Sequence, residues 1–205
     1  MPAATSSPLS SEQLAAVELA NRRAAPLRSA ERVATWDIWM LAAAAVFSLV
    51  FAALDPGALL AAVVLAGAAA IEHRGRRQLE ALEESGVRLL ALNQLGLMVL
   101  LILYSLVGIA ELLSAGSGQA LLAAEPSLQA ALDHDPTARA ALGGAADWAR
   151  DLALLVYAAL ACAALLVQGG LAYFYWSRAR RLRELLSETE PWILELLQRS
   201  RSGMG

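Results

Sequence analysis

Lysine is absent from this 205-residue chain, and all sixteen basic side chains are arginines. Beside abundant alanine and leucine, that absence points to a GC-rich bacterial genome. Cysteine occurs once, at Cys162, which excludes an intrachain disulfide. Its setting inside an apolar run reads as packing. Histidine occurs only twice, at His73 and His134. Charge is scarce as well. Only 17% of residues are charged, against about 25% in soluble domains. No alternating strand pattern occurs, so no glycine-rich loop follows a strand to cradle a phosphate.

What is present is apolar and gathered into runs. Hydrophobic residues make up 58% of the chain, and the mean hydropathy is +0.52. A bilayer core about 30 Å thick needs roughly 20 apolar residues per helix. Leu89–Leu113 meets that, with Asn93, Gln94, Tyr104, Ser105 and Glu111 as its polar interruptions. Leu152–Trp176 also meets it and carries no charge. Ile38–Leu54 and Gly57–Ile71 are shorter and flank Asp55-Pro56-Gly57, a turn signal. They read as a spanning hairpin, with a re-entrant hairpin as the alternative. The expected fold is an all-α membrane protein: a four-transmembrane-helix bundle, N-in/C-in, with short amphipathic peripheral helices. Its spans are expected at about 36–54, 57–73, 89–113 and 150–176, with an outer loop over 114–149.

Charge orients this bundle. Arg22, Arg23, Arg28 and Arg32 precede the first span, and Arg74, Arg76, Arg77 and Arg88 separate the second from the third. Arg178, Arg180, Arg181, Arg183, Arg199 and Arg201 follow the fourth. Only Arg139 and Arg150 fall between spans three and four, so the positive-inside rule places both termini in the cytoplasm. Trp36, Trp39, Trp148 and the run Tyr173-Phe174-Tyr175-Trp176 stand where interfacial aromatics belong. The N-terminal stretch lacks a basic start before an apolar run and a small-residue cleavage site, so it does not read as a secretory signal. Localisation is therefore expected in a membrane, multi-pass, in a bacterial inner membrane.

Peripheral segments follow from local signals. Residues 1–35 form a cytoplasmic amphipathic segment, opened by a capping box at Ser10-Ser11-Glu12-Gln13 and broken at Pro26. Leu14, Val17 and Leu19 are its expected apolar face. The loop Glu72–Arg88 reads as extensions of spans two and three, joined near Ser85-Gly86. In the outer loop Pro126 and Pro136 read as early helical positions, with Gly143-Gly144 ending the second helix. Residues 177–205 form an amphipathic tail, with Leu182, Leu185 and Leu186 on one stripe and a second helix opened by Pro191.

Candidate chemistry is sparse. By the expected topology His73 and His134 lie on opposite sides of the membrane, so they share no metal site or catalytic triad. Asp133-His134-Asp135 reads as a solvated loop and helix cap, and Glu72-His73 as a boundary marker. No catalytic residue, metal site or cofactor is expected, and the chain is not read as an enzyme. Polar groups inside spans are the functional candidates. Glu111 and Arg150 sit at matching depths and are expected to pair. Gln168 is placed to bond Asn93 or Gln94, and Tyr104 with Ser105 to join helices midway. Gly169-Gly170 reads as a kink or tight crossing. Arg178, Arg180, Arg181 and Arg183 are expected to meet anionic lipid headgroups, not nucleic acid.

In span order and loop lengths the layout resembles Orai-type calcium channels and, in part, tetraspanins. Span one lacks the acidic and basic pore residues of the former, and the outer loop lacks the cysteines of the latter. No family is assigned. The expected function is a non-enzymatic membrane scaffold or accessory subunit. Its expected partners are the lipid bilayer and either further copies of the chain or another membrane protein. The alternative is an oligomeric ion channel or transporter with a four-span protomer.

Overall fold

The computed structural model describes residues 10–53, 56–114 and 136–202, and among these there is no strand. The elements are α1 (Ser11–Phe51), α2 (Pro56–Glu80), α3 (Glu84–Ser114), α4 (Pro136–Ala163), a π-helical turn (Ala164–Gln168), α5 (Gly169–Glu188) and α6 (Pro191–Ser202). Four helices are long and apolar enough to cross a membrane: Ser11–Phe51, Gly57–Glu80, Glu84–Ser114 and Gly143–Glu188. The first two extend well beyond their apolar runs, to 41 and 24 residues.

The chain divides into two compact units, Met1–Gln94 with Leu171–Gly205, and Leu95–Gly170. The first is built on α1. The capping box at its start forms as expected. The Gln13 backbone N–H donates to Ser10 Oγ at 3.2 Å, and the Ser10 N–H donates to Gln13 Oε1 at 2.9 Å. Pro26, expected to break the helix, lies inside it. A proline there removes a backbone hydrogen bond and costs about 3 kcal/mol. Ala24 and Leu27 on either side of it are fully buried, so packing outweighs the lost bond. At 41 residues α1 runs about 60 Å, roughly twice the bilayer core.

Its buried face also differs from the expected one. Leu14 and Leu19 are about half exposed, whereas Ala20, Ala24, Leu27, Ala30, Ala34, Leu41 and Ala45 are buried. All of these but Ala30 fall on two positions of a seven-residue repeat, giving a seam made mostly of alanine. Small side chains let neighbouring backbones approach closely, and α1 packs extensively on α2.

The α2–α3 hairpin turns at residues 81–83, not at Ser85-Gly86. Leu82 takes the positive φ of 58° and is itself buried. Gly86 lies inside α3, pressed against α2, and a Cβ there would stand 2.6 Å from the Leu79 nitrogen. The glycine is spent on contact, not on the turn.

Leu79, Leu90, Leu182 and Leu185 close the core of this unit together with Tyr175. Burial of each leucine contributes about 1.5–3 kcal/mol. α6 starts at Pro191 as expected and docks through Ile193 and Leu197, with Gln198 Nε2 donating to the Ala81 carbonyl at 2.9 Å. The tail thus lies against the α2–α3 turn, and Arg23–Glu188 at 2.9 Å ties α5 to α1. Replacing both Ile193 and Leu197 with serine is expected to free α6. Losing about 3 kcal/mol or more of burial raises its opening roughly 100-fold. Limited proteolysis and amide exchange check this, and unchanged rates in α6 would refute it.

In the second unit, α4 begins at Pro136 and continues through Gly143-Gly144, which were expected to end it. Two helical glycines cost about 1 kcal/mol each, and the alanine- and leucine-rich sequence around them absorbs that. The separate helix expected after Pro136 is therefore continuous with the long apolar helix that follows. The Tyr157 ring sits where a Cβ on Gly108 would be, 2.5 Å from its Cζ, and meets Tyr104 edge-on at 5.8 Å. The π-helical turn directly precedes Gly169, whose Cβ would only touch Met98 Sδ at 3.5 Å. The irregularity in this helix is thus the π-bulge next to the glycine pair.

Candidate functional site

The four long helices each bring a polar side chain to one point in the first unit. α1 supplies Asp37, α2 Glu72, α3 Asn93 and Gln94, and α5 Tyr175. Glu72, Gln94 and Tyr175 are fully buried, Asn93 is nearly so, and Asp37 is half-buried.

Helix geometry explains the convergence. Asp37 follows Ala34 on the buried seam of α1. Glu72 stands four residues after buried Ala68 and three before buried Gly75 on α2. Asn93 and Gln94 continue the buried face that begins with Val87, Leu90 and Ala91. Tyr175 lies between buried Ala172 and Ala179 on α5.

Glu72 is the hub. Its Oε2 accepts from Asn93 Nδ2 at 2.7 Å. Its Oε1 accepts from the Tyr175 hydroxyl at 3.2 Å and from Gln94 Nε2 at 3.4 Å. Asn93 Nδ2 also donates to the Ala68 carbonyl at 3.2 Å, and Gln94 Nε2 also donates to Asp37 Oδ2 in a short contact. Gln94 Oε1 is buried and has no hydrogen-bond partner. Among the described residues, no arginine or histidine forms an ion pair with Asp37 or Glu72. Two carboxyl groups thus face each other across amides and a phenol.

The other candidates are placed as follows. Asn93 and Gln94 take Glu72 and Asp37 as partners, and Gln168, in the second unit, has a buried Oε1 with no hydrogen-bond partner. Glu111 and Arg150 form no ion pair. Arg150 Nη2 instead lies 3.5 Å from Asp151 Oδ1, the carboxylate next to it in the chain. Tyr104 meets Tyr157 edge-on, and Ser105 donates to the Leu101 carbonyl of its own helix at 2.8 Å. Arg178 lies 4.5 Å over the Phe174 ring, Arg180 pairs with Glu184 at 3.0 Å, and Arg183 reaches Glu84 at 3.4 Å. Arg181 is exposed. Asp133, His134 and Asp135 lie outside the described residues.

Asp37 and Glu72 are the site residues that sequence reasoning missed. The signal was there: Asp37 interrupts Trp36-Asp37-Ile38-Trp39, and a carboxylate at the mouth of a span is a functional candidate by default.

Among the described residues the fold is helical, with four helices long and apolar enough for a multi-pass membrane protein and a buried acidic centre to which each of the four contributes. Compared with protein-family models, curated proteins and solved structures, the chain has no match.

Proposed function

We propose that the chain is a membrane scaffold or accessory subunit of a bacterial inner membrane, with both ends in the cytoplasm, acting through helix packing and partner binding. The observation that carries this reading is the apolar core formed by the arginine-rich ends of the four long helices and sealed by α6. Such a core presents a stable platform to partners. The spans, in contrast, leave large apolar side chains such as Trp39, Leu166 and Tyr173 more than two-thirds exposed, open to lipid or to another membrane protein. The test is photo-crosslinking in native membranes from Trp39, Leu166 and Tyr173. Discrete protein adducts of constant mass support the scaffold, and lipid adducts alone refute it.

A transport reading draws on one observation, the buried acidic centre. Ion flux into vesicles holding the purified chain, lost in Glu72→Gln, would favour it over the scaffold.

The orientation is tested separately. In a Cys162→Ala background, an impermeant maleimide added outside is expected to label Trp148→Cys and not Arg77→Cys. Both positions are exposed in the structure. Outside labelling of Arg77→Cys would reverse the topology.

A further inference from the structure

We propose that Asp37 and Glu72 form a single proton-binding site, bridged by Gln94, at the point where the four long helices converge. A carboxylate has acceptors only, and Asp37 Oδ2 and Glu72 Oε1 both accept from the same nitrogen, Gln94 Nε2, which places the two carboxyls around one amide. Two ionised carboxylates at that separation repel each other, and one proton held by the pair removes the repulsion. The groups facing the pair are Tyr175 from α5 and the amides of Asn93 and Gln94 from α3, all neutral hydrogen-bonding groups. Among the described residues no arginine or histidine pairs with either carboxyl, so no fixed cation neutralises two like charges placed together.

Gln94 supplies the second observation. Its side chain is fully buried, its Nε2 is used by both carboxyls, and its Oε1 is an acceptor with no donor. A buried acceptor of that kind calls for a donor, and a carboxylic O–H beside it is one. A metal ion fits less well. Glu72 already accepts from three donors, and hard cations need oxygen lone pairs free to coordinate. The proton belongs to the pair, not to either residue. Its loss leaves one amide between two charges, one on α1 and one on α2, so occupancy is linked to the α1–α2 contact. This inference stands apart from the scaffold reading, and either can fail alone.

The test uses the full chain in nanodiscs and an apolar carbodiimide. Its C=N bond adds across a carboxylic O–H, giving an acylisourea with no atom lost, and an ionised carboxylate does not react in this way. Peptide mass spectrometry should find one adduct per chain, on Asp37 or on Glu72, fading as the pH is raised. Asp37→Asn should abolish it, because Glu72 alone, with three donors, has no like charge to escape. Chains modified at both residues, no adduct at either, or undiminished labelling of Glu72 in Asp37→Asn would each overturn the proposal. The unsubstituted chain carries the first two outcomes, so the test does not depend on the variant folding.

Discussion

Gly86→Ala should be among the most damaging single-methyl additions this protein can receive. The Cβ it adds would lie 2.6 Å from the Leu79 nitrogen, 2.7 Å from the Gly75 carbonyl oxygen and 2.8 Å from Gln78 Cβ. Two of these are backbone atoms of α2, so relief requires the helices to separate. Overpacking of that kind typically costs 1–3 kcal/mol and sometimes more. Separation here also loosens Leu79 and Leu90, which are fully buried. A loss of about 3 kcal/mol lowers the melting temperature of a chain this long by roughly 6–12 °C. Gly75→Ala is expected to cost less. Its closest contacts, at 2.8 and 2.9 Å, are side-chain carbons of Leu90, which can turn aside. Gly67→Ala is the control. It lies in α2, as Gly75 does, with nothing within 4 Å of the new Cβ, and should gain up to about 1 kcal/mol from helix propensity. Thermal melts of the three variants in one detergent check this ranking. Equal melting temperatures for Gly86→Ala and Gly67→Ala would show that α2 and α3 do not approach this closely.

This close approach also shows where sequence reading succeeds and where it stops. Features that depend on a few adjacent residues were legible: the capping box at Ser10, the helix begun by Pro191, and α2 and α3 extending beyond their apolar runs. The turn between those two helices was not. A glycine normally marks the left-handed position, but here Gly86 is taken up by the helix crossing, and Leu82 accepts φ of 58° because burial holds it there. Pro26 is a similar case, a helix breaker retained because its neighbours are buried. The alanine seam of α1 escaped notice for another reason. Alanine carries little hydrophobic contrast, so Leu14 and Leu19 looked like the apolar face although they are exposed. The acidic centre was legible only in pieces. Its bonds join residues 21, 22 and 103 positions apart, and no local period connects them. Asn93 and Gln94 were recognised as polar groups in a span, but their partners came from other helices.

Glu72→Ala should destabilise the protein more than any other single change in the acidic centre. The substitution removes the acceptor for the Asn93 amide, the Tyr175 hydroxyl and one of the contacts of Gln94. The Asn93 and Gln94 amides keep other acceptors, Ala68 carbonyl and Asp37, but the Tyr175 hydroxyl keeps none. An orphaned buried donor costs about 1–3 kcal/mol, and truncation of a fully buried side chain adds a cavity. A total near 3 kcal/mol follows, or roughly 100-fold in the folding equilibrium. Asp37→Ala should cost about 1 kcal/mol, because Asp37 is half-buried and Gln94 retains Glu72 as an acceptor. The decisive measurement is a double-mutant cycle with Tyr175→Phe. Removing the hydroxyl also removes the orphan, so Tyr175→Phe should be costly in the parent and nearly free in Glu72→Ala. The two changes together should therefore cost less than their sum, by about 0.5–3 kcal/mol. Strict additivity would mean that the hydroxyl does not bond Glu72, and α5 would then be held to the other helices by its leucines alone.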